Sequence, residues 1–279
     1  MNFLEKFLVA LQVKMSEPTL YGWFHILWLT IIALGVVAVC LTCKKLNDKQ
    51  FRIFLAITGG VIIVLEILKQ LVHAFDVDTL TWDYAWKQFP FQFCSVPMYV
   101  ALIVASLKEC KFRDYLCSFL ATFGLFAGAI VMIYPSTVLS DIIFRTTQSF
   151  VHHGAMIIIG VLIWVCGKAK VEHKTILKAI PVFAVCVAAA FIMNIVFHAT
   201  GNTDSFNMFY IGPYNDCDIP VLSSIGEALN IASDSINFGN FLFLFIYVLG
   251  FSIAAYIILL LVMLINHILN KKQLKKTNQ

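Results

Sequence analysis

FLFLFIYVLGFSIAAYIILLLVMLIN, residues 241–266, runs without a charged side chain and is followed within a few residues by Lys271, Lys272, Lys275 and Lys276. At about 1.5 Å per helical residue the run exceeds the roughly 30 Å hydrocarbon core of a bilayer, so it predicts a transmembrane helix with a cationic flank. Working outward, comparable runs lie at 20–43, 53–75, 91–107, 115–134, 149–166 and 176–199. The expected fold class is therefore all-α, a polytopic membrane protein built as a bundle of seven transmembrane helices. The third and fifth runs are short, and Pro97 near the start of the third predicts a bend there.

Composition agrees with that fold. The 279 residues are 60% hydrophobic and 13% charged and include 25 Phe, whereas soluble domains are about 45 to 50% apolar. No connection is long enough for a separate soluble domain. The net charge of +4 comes from basic residues that flank the runs, so it implies no nucleic-acid partner.

Those flanks set the orientation. Lys44, Lys45, Lys49 and Arg52 follow the first run, Lys108, Lys111 and Arg113 the third, Lys168, Lys170 and Lys174 the fifth, and the lysine tail the seventh. With seven crossings all four clusters share one side. The 200–240 connection on the other side has no Lys or Arg and carries Asp204, Asp216, Asp218, Glu227 and Asp234. The positive-inside rule then places the N-terminus outside and the C-terminus in the cytoplasm of a cell-membrane protein. Residues 1–19 form an interfacial N-terminal segment, with Phe3, Leu4, Phe7, Leu8 and Leu11 at helical spacing. Residues 20–266 form the transmembrane domain and 267–279 a basic cytoplasmic tail. A second amphipathic stripe, Val221 to Ile236, predicts a surface helix within the 200–240 connection. Trp82, Tyr84, Trp86, Phe89 and Phe91 form an outer aromatic belt.

Polar side chains within or at the rim of the slab are the candidate site, because ionisable groups in lipid are costly. His25, Glu66, Lys69, His73, Cys94, His152, His153, Asn194 and His198 gather toward the outer end. Cys40, Cys43, Cys110, Cys117 and Cys166 fall toward the cytoplasm and Cys186 mid-membrane; Cys94 and Cys217 are the outer thiols. These two could form a disulfide. Alternatively Cys94 meets an imidazole from the fifth helix, the Cys/His pairing of covalent acyl transfer. Glu66 and Lys69, three residues apart, can pair and lower the cost of burying either charge.

Pro90-Phe91-Gln92-Phe93-Cys94 resembles the P-L-H-L-C stretch of the bacterial YwaF-like integral membrane proteins, a family related to the transmembrane protein 164 acyltransferases. Gly22-Trp23-Phe24-His25-Ile26-Leu27 is similar to that family's F-x-x-H-L, Phe150-Val151-His152-His153-Gly154 to its F-x-x-H-G, and Asn207-Met208-Phe209-Tyr210 to its outer N-Y/F-M-F/Y. The likeness spans about residues 20 to 265. It implies a Cys-dependent acyltransferase acting on membrane lipids, with Cys94 carrying the acyl thioester and His153 as base, and no cofactor or metal. Gln92 stands where the family often has His, so a base from the third helix is absent.

On this expectation the acyl chain lies between the third and fifth helices, with the active site toward the extracytoplasmic side. Asn194, Gln92 or the start of the third helix would supply oxyanion donors. His25, His73, His152, His198 and Asn207 are candidate supporting or substrate contacts. Two alternatives come from other classes. Histidines at one depth could converge on a metal or haem, although no pair has a dedicated ligand spacing and adjacent His152 and His153 diverge by about 100°. Glu66, Lys69 and Asn194 could line a transport path for a small solute, which would need access from both sides.

Overall fold

The computed structural model describes residues 1–201, 205–233 and 235–277, with side chains through Lys271. Asp204 and Asp234 lie outside the described residues, as do the side chains of Lys272, Lys275 and Lys276.

Nearly every element is helical because the sequence offers long apolar runs closed by specific caps. After the short α1 (Phe3–Leu11), α2 (Trp23–Thr42) is followed by α3 (Asp48–Ala74). α3 starts on a capping box: Gln50 N–H donates to Asn47 Oδ1 at 2.9 Å, and Asn47 N–H to Gln50 Oε1 at 3.0 Å. A two-stranded hairpin, β1 (Phe75–Asp76) with β2 (Thr81–Trp82), turns the chain at the far end of α3. Next come α4 (Val96–Ser106), a continuous rod of α5 (Lys111–Phe119), a π-turn (Leu120–Gly124) and α6 (Leu125–Ile133), then α7 (Ile143–Val165) and α8 (Lys174–Ala199). The short α9 (Leu222–Ala228) precedes α10 (Phe238–Thr277).

Among the described residues, six helices are long and apolar enough to cross a membrane: α2, α3, the α5–α6 rod, α7, α8 and α10. The seventh crossing expected at 91–107 is built differently. α4 has 11 residues, or about 16 Å of helix, and its N-terminal approach from 83 to 95 is irregular apart from one 3₁₀ turn at Trp86–Gln88. Pro97 does not bend this helix. It occupies the first turn, where its missing N–H has no helical partner to lose. At the other end Arg52 Nε donates to Ala105 O at 2.7 Å and Arg52 Nη2 to Ser106 O at 3.0 Å. A cation thus closes the negative end of the α4 dipole. Irregular backbone is tolerated at membrane depth where protein buries it or where it lines a cavity. Tyr99 O–H donates to Pro90 O at 2.9 Å and Gln70 Nε2 to Gln88 O at 2.8 Å, so side chains supply part of what a helix would.

The amphipathic stripe expected to reach Ile236 stops at Ala228. Asn230 adopts a left-handed φ of 51°, Ile231 N–H donates to Gly226 O and Asn230 N–H to Glu227 O, which is a Schellman stop with Asn in the position usually given to Gly.

Glycines bring α7 against its neighbours. A Cβ at Gly154 would overlap Ile32 of α2, one at Gly160 would lie 2.8 Å from Leu125 Cβ, and one at Gly128 would lie 2.7 Å from the His153 carbonyl oxygen. Gly128→Val should therefore push α6 off α7 and cost about 1 to 3 kcal/mol, read as a lower midpoint in thermal unfolding. Gly60→Ala is the control, since its Cβ would meet nothing within 4 Å. The π-turn also binds the rod to α7, because Trp164 Nε1 donates to Ala121 O at 2.9 Å.

The ends of the bundle differ in character. At one end Arg113, 3% exposed, makes paired bonds of 2.6 and 3.2 Å to Asp48, Lys168 reaches Asp48 and Glu109, and Lys178 reaches Asp114. This network ties α3, α5, α8 and the turn after α7 into a plug. The other end opens into a cavity.

Candidate active site

The cavity has a volume of about 980 Å³ and takes its walls from α3, the 87–95 stretch, α6, α7, the 205–220 connection and α10. Cys94, His152 and His153 all line it. Its floor is deep because α7 begins at Ile143, six residues before the expected start, so His152 lies about 14 Å along that helix. Arg145, Thr146, Thr147 and Gln148 read as a connection by polarity, yet they continue the helix.

Each imidazole is fixed by one backbone carbonyl. His152 Nε2 donates to Cys94 O at 2.9 Å and His153 Nδ1 donates to Ser149 O at 2.7 Å. These bonds set the tautomers, leaving His152 Nδ1 and His153 Nε2 as lone-pair nitrogens. Both nitrogens are buried and have no hydrogen-bond partner among the described residues. Two proton acceptors therefore share the cavity with one thiol. No hydrogen bond joins the Cys94 thiol to either ring among the described residues, and catalytic hydrogen bonds often tighten once substrate is in place. Cys94 and Cys217 are both free thiols.

Glu66 is 3% exposed and sits at the centre of a polar network. Its Oε1 accepts from Lys69 Nζ at 2.8 Å and Gln70 Nε2 at 2.7 Å, and its Oε2 accepts from Gln148 Nε2 at 3.2 Å. Tyr84 O–H extends the chain to Gln70 Oε1 at 2.8 Å. The pairing expected of Glu66 and Lys69 is present, and Gln148 carries it across to α7.

Two expected oxyanion donors each spend one amide N–H on backbone, and of the two Gln92 lines the cavity with its second N–H left over. Gln92 Nε2 donates to Asn207 O at 3.0 Å while its Oε1 accepts from Phe209 N–H at 2.7 Å. Asn194 Nδ2 donates to Met208 O at 3.0 Å and its Oδ1 accepts from Met208 N–H at 2.7 Å. Together these amides hold a backbone in which Phe209 and Tyr210 have φ of 59° and 56°, a conformation costing roughly 1 to 3 kcal/mol per bulky residue. Gln92→Ala orphans the Phe209 N–H and removes one of the two donors to the Asn207 carbonyl, leaving the 3.3 Å bond from Tyr210 N–H. We expect a loss of about 1 to 3 kcal/mol and faster amide exchange across 207–211, measured by hydrogen–deuterium exchange. The start of α4 remains as a donor: Cys94 N–H makes no hydrogen bond among the described residues.

The other candidates divide by location. His73 and Asn207 line the cavity, and Asn207 also orders its own turn by donating to Asp216 O and accepting from Gly212 N–H. His25 does not reach the cavity. It is fully buried between Tyr21 N–H at 3.0 Å and Met132 O at 2.8 Å and joins α2 to α6. His198 stacks on Tyr214 at 3.7 Å, also away from the cavity. Among the described residues no three His, Cys, Asp or Glu side chains come together as a metal would require. Arg145, Lys87 and Ser149 line the cavity but were not singled out by sequence. Arg145, Gln148, Ser149 and His152 follow helical spacing, a polar stripe that periodicity alone can find.

A sequence-family model described as the TMEM164 family matches residues 20–265. That is the stretch over which the motif resemblance was drawn, and the match names the TMEM164 side of it rather than the YwaF-like one. No curated protein and no solved structure gave a match.

Proposed function

The chain belongs to the TMEM164 family, and from that premise we propose that it is a membrane-embedded acyltransferase moving a fatty acyl group between lipids through a thioester on Cys94. One observation carries the reading: a thiol in a cavity open at one end with two carbonyl-anchored imidazoles, each with a lone-pair nitrogen that has no partner among the described residues. His153 is the base, because its Nε2 is free and its Nδ1–H is held by its own helix at Ser149. His152 positions Cys94 through the carbonyl bond.

In the first half-reaction the Cys94 sulfur attacks the acyl carbonyl of a lipid ester as His153 Nε2 takes the thiol proton. The oxyanion of the tetrahedral intermediate faces the Cys94 N–H. Collapse breaks the ester C–O bond, and His153 returns the proton to the departing lipid alcohol. In the second half a hydroxyl of another lipid gives its proton to His153 and attacks the thioester, restoring the thiol. The acyl group changes oxygen and nothing is oxidised or reduced. The apolar part of the cavity, with Phe126 and Ile130 from α6 and Tyr247 and Phe251 from α10, suits the acyl chain. This replaces the expected location between the third and fifth helices. Basic residues gather at the closed end, so the positive-inside rule places the mouth on the extracytoplasmic side of the cell membrane. A cavity walled from one end favours this chemistry over solute transport.

The test is intact-mass analysis of the protein after exposure to a phospholipid. An acyl adduct released by hydroxylamine should appear on wild type and on Cys217→Ala and be missing from Cys94→Ala. An adduct that persists in Cys94→Ala would remove the thioester mechanism.

A further inference from the structure

The thioester mechanism leaves charged groups of the cavity without a task, Arg145 foremost. Arg145 lines the wall on α7, its Nε is enclosed, and that nitrogen has no acceptor among the described residues. Nor does Arg145 form an ion pair among them. Asp141, one turn earlier, lies within electrostatic range without pairing. Lys69, Lys87 and Arg145 are all near enough to His73 to act on it electrostatically. Lys69 is already held by Glu66, so Arg145 and Lys87 are the cations left to a ligand. Asp216 and Asp218 stand on the wall supplied by the 205–220 connection.

Arg145 is half-buried, and enclosing its Nε–H without an acceptor is costly, so the natural complement of this guanidinium is a planar or tetrahedral oxyanion that can accept from two of its N–H groups. We propose that the cavity mouth is a phosphoryl-binding subsite built on Arg145 and assisted by Lys87, which holds the headgroup of the lipid whose acyl ester meets Cys94. The assignment rests on the acyltransferase reading for what lies below it. Register supports it. Arg145 precedes His152 by seven residues, about 10 Å along α7 and on the same face. In a glycerophospholipid the phosphoryl group is a few bonds from the ester, which matches that separation once the contacts at either end are added. The subsite therefore sets which ester can reach the thiol, and it disfavours acylglycerols that lack the charge.

The experiment uses the full chain in detergent with Cys94→Ala, so that no turnover intervenes, and counts bound lipid by native mass spectrometry. The probes are 1-oleoyl-glycerophosphocholine, 1-oleoylglycerol with the same chain, and inorganic phosphate. The phosphoryl lipid should be retained about tenfold or more over the acylglycerol, the scale of one charge-assisted bond. Adding Arg145→Gln should erase the preference while leaving acylglycerol binding as it was, and Arg145→Lys should keep part of it. If Arg145→Gln does not fold, Lys87→Gln carries the test, with a smaller fall in the same ratio. A preference that survives these changes overturns the proposal. So does displacement of the lipid by inorganic phosphate at equal concentration, which would assign the site to free phosphate. Acylation of Cys94 in the otherwise unaltered protein is read separately by intact mass, so failure of the thioester step and failure of the subsite give different results.

Discussion

On the thioester reading, His153→Ala is expected to lower the rate of Cys94 acylation by about 100- to 10,000-fold, the range associated with losing a positioned general base. The expectation follows from geometry. Ser149 O takes the Nδ1 proton, so the lone pair must be on Nε2, and Nε2 is buried in the cavity wall with no other partner. Removing the ring leaves the fold's backbone contact at Gly128 unaltered, since that contact is to the His153 carbonyl. The residual rate should climb with pH, because thiolate then forms without a base. His152→Ala is a sharper comparison. It frees the Cys94 carbonyl and should disturb thiol placement while leaving the base, so its rate loss should lack that rise with pH. Single-turnover acylation of the purified variants across a pH series separates the two. Equal rates for wild type and His153→Ala would remove the imidazole from the mechanism.

Glu66→Ala is the second large effect, and it concerns stability. The carboxylate is nearly inaccessible and takes hydrogen bonds from Lys69, Gln70 and Gln148 at 2.7 to 3.2 Å. Without it Lys69, 20% exposed, loses its counter-ion and two amides lose an acceptor. Breaking a buried pair in this way costs about 3 to 5 kcal/mol. Adding Lys69→Met should recover a large part of that loss, because the uncompensated charge is then gone. A double-mutant cycle on denaturation midpoints measures the difference. Additive losses would mean that the pair is not coupled.

Apolar length alone identified the six long helices, and residues 241–266 sufficed to place the chain in lipid. The 91–107 segment was misread because hydropathy counts Phe91 and Phe93 as lipid-soluble without asking whether their backbone is helical. The side chains that satisfy the irregular approach, Gln70 and Tyr99, belong partly to distant positions. The start of α7 was missed for the opposite reason, since Arg145 to Gln148 are polar residues facing a cavity instead of water. For the site, motif order pointed to Cys94 and His153. Periodicity could not say which nitrogen of which ring is free, because the carbonyl of Cys94 that holds His152 is 58 positions away in sequence. Gln92 and Asn194 were singled out on residue type, which could not show that each also uses both ends of its amide to hold the strained turn at Phe209.

The plug of ion pairs at one end and the open mouth at the other have a consequence for supply. No residue of the turns bearing Asp48, Glu109 or Lys168 contributes to the cavity wall. If the chain is the acyltransferase proposed above, a lipid substrate would reach Cys94 from one leaflet alone, and the lipid left behind would be released into that same leaflet. The acyl composition set in this way would be asymmetric from the start, and it would spread to the opposite leaflet only as fast as other proteins flip the product across.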